Sequence, residues 1–301
     1  MFFLPVLPIK NMHLQKCLTF GMHIILAAAL YAINSPFSKL LLEKLSPTML
    51  AALLYLGAGI GMLIVGIIQR KTGFADKEKP LTKKELPYTV GMVVLDIAAP
   101  IFLMIGLTMT SAANASLLNN FEIVATSIIA LCIFKEKISK RLWLGIVLVT
   151  TASVLLSVED FAGFSFSIGS LFVLLACVCW GFENNCTRNL SYKNPLEVVV
   201  IKGFGSGVGS LVVAAVINEF TFDLIFVVFA LLLGFVAYGL SIFFYIYAQR
   251  YLGAAKTSAY YAVSPFIGAI ISLILFGEIP SLAFAIAFVV MIVGAAVVSK
   301  G

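Results

Sequence analysis

Ten apolar runs, each about 19 residues or longer, follow one another along the chain with short polar breaks between them. They fall at about 18–42, 47–69, 86–108, 111–134, 140–158, 166–188, 195–217, 224–249, 254–276 and 281–299. At 1.5 Å of rise per residue, each run is long enough for a helix to cross a hydrocarbon layer of ~30 Å. Only 11% of the 301 residues are charged and 61% are hydrophobic, with a mean hydropathy of +1.09. A soluble surface needs about 25% charged residues. The spacing therefore predicts an all-α membrane protein of ten transmembrane helices. The alternating ten-residue segments of a membrane β-barrel are not seen. Residues 1–17 hold the apolar "MFFLPVLPIK" without a basic segment before it or a small-residue cleavage site after it. They read as a cytoplasmic N-terminal segment and not as a signal peptide.

Charge orients the spans. With the N-terminus in the cytoplasm, only Lys39 and Lys44 fall outside and Lys202 lies within a span, leaving seventeen of the twenty Lys and Arg on the inner side. The positive-inside rule then places both termini in the cytoplasm, in a cytoplasmic (inner) membrane. The basic loop "QRKTGFADKEKPLTKKE" reads as the inner face of the protein and not as a nucleic-acid site.

The chain also repeats itself. "TSAANASLLNNFEIVATSIIALCIFKE", 110–136, aligns without a gap to "LGAAKTSAYYAVSPFIGAIISLILFGE", 142 residues later. Ala112 meets Ala254, Ser116 meets Ser258, Phe134 meets Phe276 and Glu136 meets Glu278. At an offset of 148, "GAGIG" from Gly57 meets "GSGVG" from Gly205, and Pro47 meets Pro195. With one gap, Tyr31 meets Trp180, Asn34 meets Glu183 and Lys39 meets Arg188. The halves are 18–158 and 159–301. Each holds an odd number of spans, so the second enters the membrane upside down, giving two inverted five-helix repeats.

These segments resemble the EamA branch of the drug/metabolite transporter superfamily over about residues 18–299. The second copy follows the family pattern through Pro265 and Glu278; the first departs from it, with Ile123 at the position of Pro265 and Glu122 before it. The resemblance implies alternating access through a central cavity and movement of small metabolites, amino acids or amphiphiles.

Polar residues in the spans are the candidates for that pathway, because a charge at the bilayer centre costs ~2.5–3.5 kcal/mol on insertion scales. Ala115, Asn119, Glu122 and Thr126 share one helical face, and their counterparts Thr257, Tyr261, Ser264 and Gly268 are small or polar. Glu183 shares a face with Trp180 and Thr187, and Asn34 with Tyr31 and Ser38. Asp96 corresponds to Tyr238, whose face carries Ser241, Tyr245 and Gln249. Lys202 is a counter-ion for Glu122, Asp96 or Glu183; His23 is a weaker candidate. Lys39 and Arg188 read as snorkelling anchors, and Glu136 and Glu278 as structural helix ends. Ser35-Pro36 and Ser264-Pro265 read as hinges or simple kinks.

The glycine clusters lie inside apolar spans and read as close helix packing, not as nucleotide loops. Cys17, Cys132, Cys177, Cys179 and Cys186 form no disulfide framework or metal spacing, so no metal or cofactor is expected. Two histidines, His13 and His23, are too few for an intramembrane enzyme, and no ATP-binding motif appears. The reading is a secondary transporter that exports a small polar metabolite, an amino acid or related compound, with protons as the coupling ion. Glu122 is the leading proton or amine site, Asn119 and Asn120 are hydrogen-bond donors, and Tyr31, Trp180, Tyr260 and Tyr261 shape the cavity. The alternative is an exporter of amphiphilic drugs on the same fold; a channel or lipid scramblase stands behind it.

Overall fold

The computed structural model describes residues 23–72, 78–133, 135, 139–160, 165–252, 257 and 260–299. Among the described residues, eight helices are long and apolar enough to cross a membrane: α1 (His23–Leu41), α2 (Pro47–Lys71), α3 (Lys83–Met109), α4 (Ala112–Cys132), α5 (Lys140–Ser157), α6 (Ile168–Leu190), α7 (Pro195–Val216) and α8 (Leu224–Tyr251). Two shorter apolar helices follow, α9 (Ser264–Phe276) and α10 (Leu282–Ser299). A short antiparallel hairpin, β1 (Val158–Asp160) and β2 (Ser165–Phe166), joins the two halves. Glu136 lies outside the described residues.

The molecule is inverted relative to a soluble protein. Ile60, Ile64, Ile67 and Ile68 stand exposed along one face of α2, and Leu144, Val147 and Val154 along α5. Asp96, Glu183, Lys202 and many Asn and Ser side chains are buried. Apolar outside and polar inside is stable only where the solvent is hydrocarbon. The chain is an integral membrane protein.

The glycines form the seam between the halves. A Cβ on Gly59 would sit 3.0 Å from the backbone nitrogen of Phe204, and one on Gly207 would sit 2.9 Å from that of Leu56. These are one contact made twice, because adding 148 to 59 and to 56 gives 207 and 204. Residue number rises along α2 as it falls along α7, and Gly66 against Leu196 extends the same series. The two counterpart helices therefore cross antiparallel about a two-fold axis, as inverted repeats must. α5 packs on α10 and α4 on α9 in the same counterpart fashion. A Cβ on Gly203 would reach 2.4 Å from the Gly59 nitrogen, so only glycine permits this approach.

Among the described residues, α4 and α8 depart from regular geometry near their middles, and α9 starts at a break within the apolar run 254–276. In α4 the regular segments are Ala112–Leu118 and Phe121–Cys132, joined by a tightened turn at Asn119 and Asn120. There Asn120 N–H donates to Leu117 O and Ile123 N–H to Asn120 O, both three residues back. The expected face Ala115–Thr126 therefore does not run along one continuous helix. Leu118 O faces the thiol of Cys177 on α6 instead, at 3.7 Å. α9 begins anew at Ser264-Pro265, with Pro265 in its first turn, where a missing N–H costs nothing. α8 passes through a π-helical stretch, Gly234–Leu240, which carries Tyr238.

Lys39 is not an anchor reaching out through lipid. It donates to the Leu107 carbonyl and, at 2.9 Å, to the Thr110 carbonyl, closing the C-terminal end of α3. Arg188 lies half-buried in the last turn of α6.

The glycine seam makes a quantitative prediction. Gly203→Ala is expected to destabilise by ~2–3 kcal/mol or more through overpacking against backbone, whereas Ile64→Ala on the outer face stays within ~0.5 kcal/mol. Thermal unfolding of the detergent-purified protein measures both.

Candidate functional site

The buried charges converge between the halves. Lys202 Nζ on α7 lies 2.8 Å from Glu183 Oε1 on α6 and 3.0 Å from Asp96 Oδ2 on α3. Both contacts are ion pairs. Asp96 Oδ1 accepts a hydrogen bond of 2.7 Å from Tyr55 OH on α2, and Glu183 accepts one from Thr187, a turn further along its own helix. Each carboxylate thus has the ammonium on one side and a hydroxyl on another. Such satisfaction is what makes a buried ion pair tolerable.

The cluster sits well inside the bundle. Lys202 is seven residues from Pro195 and Glu183 seven from Leu190, so both lie ~10 Å inward from the same end. That end carries Arg70, Lys71, Lys83 and Lys84, and Arg250 ties it together through Glu78 at 2.7 Å and Ser191 O at 2.8 Å.

Glu122 enters from α4. It lies in the first turn of the segment Phe121–Cys132, where the exposed N–H groups of a helix start favour negative charge. Asn184 on α6 donates to its Oε1 at 2.6 Å and to Thr126 Oγ1 at 3.2 Å. Glu122 is half-buried, and its walls are aromatic. Tyr31 meets Trp180 edge-on at 6.4 Å between ring centroids and lies 5.7 Å from both Tyr238 and Tyr261. Asn34 donates to Tyr238 OH at 3.2 Å, and Tyr261 shares a 3.0 Å hydrogen bond with Ser241. Together with Tyr55, Thr187, Glu183 and Lys202, the rings of Tyr31, Trp180, Tyr238 and Tyr261 and the side chains of Glu122 and Asn184 line a cavity of about 50 Å³. That holds a few water molecules and no metabolite. A second small void connects Tyr31, Glu122 and Tyr261 to Asn119, Asn120 and Pro265.

Most of the residues singled out in the sequence meet here: Tyr31, Asn34, Asp96, Glu122, Trp180, Glu183, Lys202 and Tyr261 surround or directly back the cavity, and Asn119 and Asn120 border the adjoining void. Asn120 donates to Leu117 O, not into the cavity. Ser264 is fully buried at the start of α9. Tyr260 does not shape the cavity. It is 43% exposed in an apolar groove with Ile25, Phe266 and Phe288 on the outer face, because it precedes Tyr261 by one residue and so points about 100° away on the helix. His23 packs against Phe244 and Tyr247, away from the cluster. Sequence reasoning missed Tyr55 and Asn184. Asn184 was detectable: it lies four residues after Trp180 and three before Thr187, on their shared face.

The model of the EamA-like transporter family matches the chain twice, over residues 19–158 and 167–300. The chain belongs to the EamA-like transporter family, within the drug/metabolite transporter superfamily. It is 26% identical over 292 residues to a protein of Methanothermobacter thermautotrophicus described as an uncharacterized transporter, covering 90% of this chain and 83% of that one. A solved crystal structure shares the fold, with a TM-score of 0.69 at 17% identity over 94% of this chain and 96% of the other. The cluster therefore lies inside a transporter of this family.

Removing the ammonium alone leaves two buried carboxylates facing each other. Lys202→Met is expected to destabilise by ~3–5 kcal/mol. The triple change Lys202→Met, Asp96→Asn, Glu183→Gln recovers most of that loss. Chemical or thermal unfolding of the purified variants tests the pair.

Proposed function

We propose that this EamA-family transporter exports a small polar metabolite, an amino acid or related compound, in exchange for protons. The observation that carries the reading is the charge count at the cavity. Among the described residues, Glu183 and Glu122 on the cavity wall and Asp96 behind it stand with one ammonium, Lys202, so the site is short of positive charge when all are ionised. A buried charge excess is costly in a low-dielectric interior and is relieved by taking up a cation. Protons and the ammonium of a substrate are two cations that relieve such an excess. Glu122 is the proton-carrying group: it is half-buried, borders both voids and forms no ion pair among the described residues.

The small volume of the cavity supports alternating access. Space for a metabolite arises only if helices separate, and two like halves about a two-fold axis have two nearly equivalent ways of doing so. We place the protein in the cytoplasmic membrane with the end bearing Arg70, Lys83, Lys84, Lys193 and Arg250 facing the cytoplasm, on the asymmetry of positive charge between the two ends. An inward proton gradient then drives export. The amphiphile reading draws on the apolar groove beside Tyr260, which lies on the lipid-facing side of Tyr31 and Ala262; competition of lipophilic cations with amino acids for uptake into proteoliposomes separates the two.

Proteoliposomes with an imposed pH gradient test the coupling, with radiolabelled L-amino acids as probes. Gradient-driven accumulation by the wild type is expected to fall by roughly tenfold or more in Glu122→Gln, a change of ~1.4 kcal/mol in the driving step. Exchange without a gradient persists in the variant. An unchanged gradient response removes Glu122 from the role.

A further inference from the structure

The two carboxylates that hold Lys202 are not equivalent. Glu183 and Lys202 both line the cavity, whereas Asp96 does not. Asp96 is fully buried behind the ammonium and fixed by Tyr55 on a neighbouring helix. The side chain of Glu183 faces the void, and Thr187, its hydroxyl partner, lies on the same helix. Lys202 is thus backed by one carboxylate and covered from the front by another. Among the described residues it is also the one cation on the cavity wall. The covering carboxylate has the chemistry of a ligand: an anionic group pressed onto a cation across a space too small for cargo.

We propose that Glu183 is a built-in stand-in for the carboxylate of the substrate, and that an α-amino-acid zwitterion inserts into the Lys202–Glu183 pair. The substrate carboxylate takes Lys202, and its ammonium takes the freed Glu183. The result is an alternating row of charges, from Asp96 through Lys202, the substrate carboxylate and the substrate ammonium to Glu183. No net charge enters the site, and each group of the zwitterion meets an opposite charge, which offsets the cost of its desolvation. A carboxylate without an amine would leave Glu183 expelled and unpaired. An amine without a carboxylate has nothing with which to displace Glu183, and the pair stays shut. Because Lys202 lies on α7 and Glu183 on α6, insertion also pushes these two helices apart, which couples occupancy to opening of the cavity. Asp96 acts as a positioning residue, holding Lys202 forward. This inference rests on the amino-acid reading given above and specifies how that substrate is recognised.

The test uses the purified full-length chain in detergent. Ligand-induced thermal stabilisation is first measured with free L-amino acids. The most stabilising one is then compared with its N-acetyl form, which lacks the cation, and its methyl ester, which lacks the anion. On the wild type both derivatives are expected to bind ~100-fold more weakly than the parent, as expected where buried polar groups go unpaired. On Glu183→Gln, which keeps the side-chain volume and leaves Lys202 with Asp96, the N-acetyl form is expected to gain roughly tenfold over the wild type. Lys202→Met is expected to lose the parent amino acid; should it not fold, Glu183→Gln decides alone. A methyl ester binding the wild type as tightly as the parent overturns the proposal. So does an N-acetyl form that binds Glu183→Gln no better than the wild type. Either result leaves the amino-acid reading standing, whereas a wild type that no L-amino acid stabilises overturns both.

Discussion

One buried ammonium joins the two halves of this molecule. Lys202 belongs to the second repeat, and through Asp96 it reaches into the first. In a medium of low dielectric such a contact is strong, and equally costly when a partner is lost. The surrounding hydroxyls, Tyr55 on Asp96 and Thr187 on Glu183, are therefore part of the same interaction. The rest of the architecture accommodates it. A polar centre requires an apolar exterior, and helices can come close enough to surround it only where glycines such as Gly59, Gly203 and Gly207 remove the side chains between them.

The two ends of the bundle are closed by different chemistry. At the basic end Arg250 binds Glu78, and Lys193 lies 3.2 Å from Glu85, while Leu81 N–H donates to Glu197. At the other end the contacts are mainly hydroxyl bonds: Ser46 to the Glu219 carbonyl at 2.5 Å, Thr48 to the Glu219 carboxylate, and Ser46 N–H to Thr221 at 2.8 Å. Both sets pin the start of one helix to the loop that follows its counterpart: α7 to the loop after α2, and α2 to the loop after α7. Closure at both ends accounts for the small central cavity. The basic end is the more sensitive to ionic strength, since partly exposed ion pairs are screened more than hydrogen bonds donated by hydroxyls.

Much of this was legible in the sequence because charge in hydrocarbon is expensive. Asp96, Glu122, Glu183 and Lys202 stand out in apolar runs on cost alone, and the repeat matches each span to an inverted counterpart. Tyr55 was invisible for the opposite reason: a tyrosine in an apolar span is adequately explained by packing, and only the position of Asp96 reveals its hydroxyl as a partner. The turn at Asn119 and Asn120 was missed because a face read at three- and four-residue spacing presumes an unbroken helix. Lys39 shows the same limit, since its distance along the span is compatible with either water or a neighbouring helix end, and the fold selects the carbonyls of α3. Tyr260 and Tyr261 differ by one residue, and the face shared by Thr257, Tyr261 and Ser264 already marks Tyr261 as the inward one; naming both as cavity residues ignored that face.

The central claim is that two inverted halves rock about this buried cluster and open it to one side at a time. Spin labels at Thr72 and Tyr192 report the basic end, and labels at Lys44 and Phe220, in loops related to those by the same repeat offset of 148, report the other. Both distances are to be measured by pulsed electron resonance in lipid nanodiscs, with and without a transported amino acid and across a change of pH. The account predicts that when one distance lengthens the other shortens. Two distances that stay fixed, or that lengthen together, would contradict it.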